Sequence, residues 1–213
     1  MIRSLLLVTS LAAISASASA QLASVSPFTG DLSEDFDSYS TGAYDAGLSI
    51  MGGAATVTSL DGDANYVWYS GGWFLVDKGN ASSRSGEQFY GLNKRRAQGS
   101  YSTVSFADAV SSFGGYFNVA YEPSIAPSNL LSLTFFDVDG FQIGATQDVA
   151  MASDLSYTWV GFSSTQPIGS VRIEGDYFVG DDYVATNAVP EPASMAALGL
   201  GGLALLRRRR KSA

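Results

Sequence analysis

The stretch LLSLTFFDVDGFQIGA, residues 130–145, decides the fold. Leu130 to Asp137 is rich in apolar and aromatic residues, Phe141 to Ala145 is a second such run, and Asp139-Gly140 stands between them. Asp-Gly is a favoured pair for a tight hairpin turn, because both turn positions take positive φ and glycine does so without steric cost. The spacing predicts two antiparallel strands joined by that turn. Outward from it, residues 21–189 show no long 3.6-residue period. Short strand-like runs recur instead, with turn residues every eight to twelve positions or so. Upstream these are Ala54 to Ser59, Asn65 to Ser70, Trp73 to Asp77, Tyr101 to Phe106 and Gly115 to Tyr121; downstream, Tyr157 to Ser163, Val171 to Glu174 and Tyr177 to Thr186. Gly161-Phe162-Ser163 followed by Gln166-Pro167 reads as a strand end and a loop. The Ser-, Asp- and Gly-rich Ala23 to Gly47 is expected to enter the sheet late. The predicted class is all-β, an antiparallel β-sandwich of roughly eight to eleven strands.

Composition narrows the chemistry. Hydrophobic residues make up 46% of the 213 and charged ones 15%, too apolar for a disordered chain and enough for one full core. There is no Cys, which excludes disulfides and thiolate zinc sites, and no His, which removes Ser-His-Asp and Cys-His machinery and the usual neutral-pH proton shuttle. In residues 21–189 six basic residues face nineteen acidic ones, a balance that repels phosphate backbones and argues against nucleic acid as a partner. Lys94-Arg95-Arg96 is the basic cluster of that region and reads as a solvated loop.

Both ends carry addresses. Residues 1–20, MIRSLLLVTSLAAISASASA, place Arg3 before an apolar run from Leu5 to about Ile14 and finish on Ala18-Ser19-Ala20. That is the order of a secretory signal peptide, helical and handled by the Sec machinery, with Gln21 as the new terminus. An uncleaved membrane helix or a buried helix is the plainer alternative. Residues 190–213 run Pro190-Glu191-Pro192, then an uncharged apolar segment from Ala193 to Leu206, then Arg207, Arg208, Arg209, Arg210 and Lys211. Fourteen helical residues span about 21 Å, short of a hydrocarbon core of about 30 Å, so the segment suits a temporary transmembrane stop with its arginines left in the cytoplasm. The order resembles the PEP-CTERM sorting signal, whose tripeptide stands where this chain has Pro190-Glu191-Pro192. That resemblance implies a Gram-negative bacterium, transient residence in its inner membrane, cleavage near the tripeptide by exosortase, and delivery to the cell surface or extracellular matrix, often beside exopolysaccharide. A plain C-terminal anchor is the alternative.

Three groups in the body are candidates for a site. Glu34-Asp35-Phe36-Asp37 and the later Asp176-Tyr177-Phe178-Val179-Gly180-Asp181-Asp182-Tyr183 resemble the opening and closing strands of jelly-roll carbohydrate-binding-like domains. The resemblance implies a jelly-roll-like order with these strands side by side, and a structural calcium held by Glu34, Asp35 or Asp37 with Asp181 or Asp182. Calcium takes six to eight oxygens, which converging carboxylates supply; solvated acids at strand ends are the alternative. Asp61-Gly62-Asp63-Ala64-Asn65 imitates half a calcium loop and then lacks its turn glycine and its bidentate Glu, so it reads as a turn. Trp68, Tyr69, Trp73 and Phe74 crowd an expected hairpin across Ser70-Gly71-Gly72, and Trp68 and Trp73 are the candidate glycan-stacking faces, against burial in the core. Trp159 and Phe162 read as core. The combined reading is a non-enzymatic surface or matrix protein with adhesion or glycan contact as its use. Competing with it are a secreted polysaccharide-acting enzyme working through paired carboxylates, which needs no His, and a purely structural matrix component.

Overall fold

The computed structural model describes residues 22–60, 65–75, 78–120 and 129–188. Among them are fourteen strands: β1 (Leu22–Ser24), β2 (Leu32–Glu34), β3 (Gly42–Ala43), β4 (Leu48–Ile50), β5 (Ala55–Ser59), β6 (Asn65–Tyr69), β7 (Trp73–Leu75), β8 (Gly79–Ala81), β9 (Gln88–Leu92), β10 (Ser102–Asn118), β11 (Leu130–Phe136), β12 (Gln142–Ala150), β13 (Thr158–Glu174) and β14 (Val179–Asn187). The helical content described is two single 3-10 turns, Met51–Gly53 and Arg96–Gln98. Every pairing is antiparallel. The expected signal helix and transmembrane helix lie outside the described residues, within which no helix is long and apolar enough to cross a membrane.

Two 17-residue strands, β10 and β13, form the spine and pair from Ser102–Ile173 to Phe117–Thr158. Their register breaks between Ser105 and Ser112. Before the break β10 borders β5 and β13 borders β11, giving the order β4-β5-β10-β13-β11-β12. Beyond it β13 borders β1 and β10 borders β14, which continues to β9, β6 and β3, with β2 on the later half of β14. Bulges bend strands, and here they let one ribbon serve two layers. Aromatic contacts measure the bend. Phe135 pairs with Val171, nine residues from Phe162 along β13, a distance of about 30 Å in a straight strand. The Phe135 and Phe162 rings are nevertheless 5.5 Å apart. The shared core runs from Val57, Val104, Leu133 and Ile173 to Phe36, Tyr90, Phe113, Phe117 and Tyr183, all buried.

The all-β expectation holds, while several boundaries move. The runs expected from Tyr101 and from Gly115 fall, over Ser102 to Phe106 and Gly115 to Asn118, in the single strand β10, and those expected from Tyr157 and Val171 fall, over Thr158 to Ser163 and Val171 to Glu174, in β13. Gln166-Pro167 is no loop. Pro167 falls in the gap between Ser163 and Ile168, where β13 has no partner on β10 and a missing N–H costs no ladder bond. The hairpin at Asp139-Gly140 forms, yet as a three-residue loop closed by Asp137 N–H to Phe141 O at 2.9 Å, with Gly140 left-handed at φ 84°. Strand β9 was not expected. Gly91 interrupts its pattern, and the Trp73 ring occupies the space a Cβ there would approach to 3.2 Å.

Candidate functional site

Strands β2 and β14 lie side by side, pairing Glu34 with Tyr183 and Ser33 with Val184. Beside them opens a cleft of about 520 Å³ whose walls include Phe28, Glu34, Asp35, Arg84, Ser85, Tyr116, Trp159 and Asp182. Its shelf is aromatic. Tyr116 on β10 and Trp159 on β13 are cross-strand partners with ring centroids 5.1 Å apart. The indole lies over Gly114 and Gly161, where a Cβ on either would come within 2.7 Å of it, so both glycines are needed for the ring to lie down on the sheet. Trp159 Nε1 donates to the Val25 carbonyl at 2.7 Å, and Phe28 meets the indole edge-on at 5.7 Å.

The opposite wall is polar and pinned. The Arg84 guanidinium sits 3.6 Å over the Tyr116 ring and pairs with the Asp182 carboxylate, to which Ser85 Oγ also donates at 2.6 Å. Behind them, buried Asp181 accepts the N–H groups of Arg84 at 2.7 Å, Ser85 at 3.2 Å and Asp182 at 2.8 Å. Burial pushes the Asp181 carboxyl up to about 7, against the pull of those three donors.

The carboxylates expected to hold calcium are placed near one another but are already engaged. Glu34 accepts Phe36 N–H at 3.0 Å through Oε1, and Tyr39 O–H at 2.8 Å and Met51 N–H at 2.7 Å through Oε2. Asp37 accepts Glu87 N–H at 2.7 Å and Gln88 N–H at 2.8 Å, and Asp35 accepts Asp37 N–H at 3.2 Å. Asp181 and Asp182 face the donors of the 84–85 loop. N–H and O–H donors thus occupy oxygens of all five residues, and a cation placed there would compete with those donors. Among the described residues no group of three or more acidic side chains gathers for a metal.

The aromatic hairpin also differs from expectation. β6 pairs with β3 and β9, whereas β7 pairs with β8 in a separate two-stranded sheet, so β6 and β7 are not hairpin partners. Trp73 is buried at 8% exposure and Trp68 is half-buried, while Tyr69 is exposed at 52%. Trp159, expected in the core, lines the cleft; Phe162 is core as expected. Glycine two residues after a tryptophan, on the same strand face, is the signal that could have separated them. Lys94-Arg95-Arg96 is tied down rather than loose: Arg95 Nε donates to Tyr177 Oη at 3.0 Å and Arg96 N–H to Asp176 at 2.8 Å. Asp61 to Ala64, Pro190, Glu191, Pro192 and Arg207 to Arg210 lie outside the described residues.

The chain contains the segment of an exported protein as well as an antiparallel β body. Residues 188–211 match the PEP-CTERM protein-sorting motif, and this chain carries that signal. Such a motif marks export, transient membrane anchoring with a cell-surface fate, and processing by exosortase. No curated protein matches the chain. Among solved structures it is similar to the K2 cleaved adhesin domain of Lys-gingipain, at 14% identity and TM-score 0.44, covering 72% of this chain and 98% of that one. It is also similar to the CBM22-1–GH10 modules of the Clostridium thermocellum endo-1,4-β-D-xylanase 10B complexed with xylohexaose, at 13% identity and TM-score 0.39, covering 75% of this chain and 28% of that one. The C-terminal family 22 carbohydrate-binding module of the same enzyme gives 12% identity and TM-score 0.30, covering 76% and 100%.

Proposed function

We propose that residues 21–189 are a non-enzymatic surface module that contacts a glycan through the Tyr116–Trp159 cleft. The observation that carries this reading is the indole of Trp159, half-buried and laid flat on two glycines at the floor of an open cleft. A fixed aromatic face stacks on the C–H face of a sugar ring at little entropic cost. The neighbouring Arg84, Ser85, Asp35 and Asp182 offer the donors and acceptors that ring hydroxyls require. The non-enzymatic part rests on commitment of the carboxylates. Glu34 is held by three donors and Asp182 by an arginine, which does not suit the free acid–base pair a glycosidase needs. In this reading residues 1–20 are removed on export through the Sec pathway. Residues 190–213 then hold the module in the inner membrane of a Gram-negative cell until exosortase releases it to the surface or to a matrix containing exopolysaccharide. Incubation of the protein with a panel of matrix and plant polysaccharides tests it. Retention with no released product is expected. Released oligosaccharide would replace the module with an enzyme, and self-association without retention would leave a structural component.

A further inference from the structure

We infer that the Lys78 ammonium is the structural cation of this domain, filling from within an oxygen cage that ties the β7–β8 turn to three other segments. Its Nζ donates to Asn118 Oδ1 at 2.7 Å, Asn129 Oδ1 at 3.1 Å and the Ala152 carbonyl at 2.6 Å. These oxygens come from the end of β10, the entry to β11 and the connection after β12. The cage is built to face inward. Asn118, fully buried, spends its Nδ2 on the carbonyls of Asp154 at 2.8 Å and Ser156 at 2.9 Å, and its Oδ1 also accepts Val119 N–H at 2.8 Å. Asn129 spends its Nδ2 on the Met151 carbonyl. Those commitments fix both amides with oxygen toward Nζ and exclude the flipped orientation of either.

The number and type of ligands select the ion. An ammonium has three N–H donors and finds three acceptors here, whereas calcium asks for six to eight oxygens with carboxylates among them. The three cage oxygens are neutral, and the Asp154 carboxylate, near enough to favour the charged lysine, supplies the counter-charge. Burial lowers the Lys78 pKa to about 8, which still leaves the group charged at neutral pH. Lys78 thus brings from the chain itself the positive charge that these oxygens hold.

Thermal melting of the protein with EDTA and with added calcium, beside the Lys78→Met variant, tests the inference. Chelation and calcium should leave the wild-type midpoint unmoved, and Lys78→Met should lower it by roughly 5 °C by orphaning a buried amide. A wild-type midpoint that falls with EDTA and returns with calcium would overturn it, as would Lys78→Met melting with the wild type. Should that variant not fold, the nitrogen spectrum of the wild-type lysines decides. One protected ammonium, absent from the rapidly exchanging set, is expected at slightly acidic pH, and its absence would overturn the assignment.

Discussion

At the scale of single residues, the cleft depends on charges and rings that hold one another, as Arg84 holds Asp182 and Tyr116, and that the backbone holds in turn. Asp181 is the centre of its polar wall: three N–H groups converge on a carboxylate with no exposure. Because burial raises its folded pKa to about 7 from an ordinary 3.8, the native protein keeps a proton that the unfolded chain releases between those values. Stability from this group is therefore present below about pH 4 and is lost as pH rises to 7. On going from pH 5 to pH 8 the wild-type melting temperature should drop further than that of Asp181→Asn, which cannot titrate. Equal drops would show that Asp181 is ionised throughout. None of this was legible from sequence, where Asp181 and Asp182 look alike; the two differ only because the strand turns one inward and the other to the cleft.

At the scale of elements, the long strands β10 and β13 carry both the bend that makes two layers and the aromatic pair that makes the cleft. Gly161 is the point where these roles meet. Replacing it with Ala puts a Cβ within 2.7 Å of the indole, so Trp159 must lift or the strands must part. A loss of about 1–3 kcal/mol in unfolding free energy, with a shift in tryptophan emission, is expected from denaturant melts of Gly161→Ala. Unchanged stability and emission would mean the ring does not rest there. The runs that marked β5 and β6 were readable because each alternates between the core and the outside, and β11 because seven apolar, aromatic and hydroxyl residues run up to a turn. β9 was not, since Phe89, Tyr90, Gly91 and Leu92 are all buried and show no alternation. The continuity of β10 and β13 was hidden for a different reason: a bulge looks like a loop in sequence, and Pro167 is tolerated only because the partner strand skips it. Among the site residues, adjacency of the opening and closing acidic strands was readable, while the occupation of their carboxylates by distant N–H groups of residues 84–88 was not.

At the scale of the whole molecule, the sequence separates its charges: an acidic stretch over residues 21–189 between an N-terminal segment with one arginine and a C-terminal segment carrying four arginines and a lysine. The sorting motif starts at residue 188, directly after β14 ends at Asn187, so the folded body stands close to the segment that is processed. Mass spectrometry of the protein taken from the cell surface should find residues 1–20 absent and the arginine block removed. An intact tail on surface protein would contradict processing there. The glycan-binding role itself is tested most directly by affinity for whichever polysaccharide retains the wild type, compared with Trp159→Ala and with Tyr69→Ala, an exposed ring outside the cleft. Trp159→Ala should fold and lose about tenfold or more in affinity while Tyr69→Ala binds as the wild type does. Equal binding by Trp159→Ala, or loss confined to Tyr69→Ala, would contradict the account.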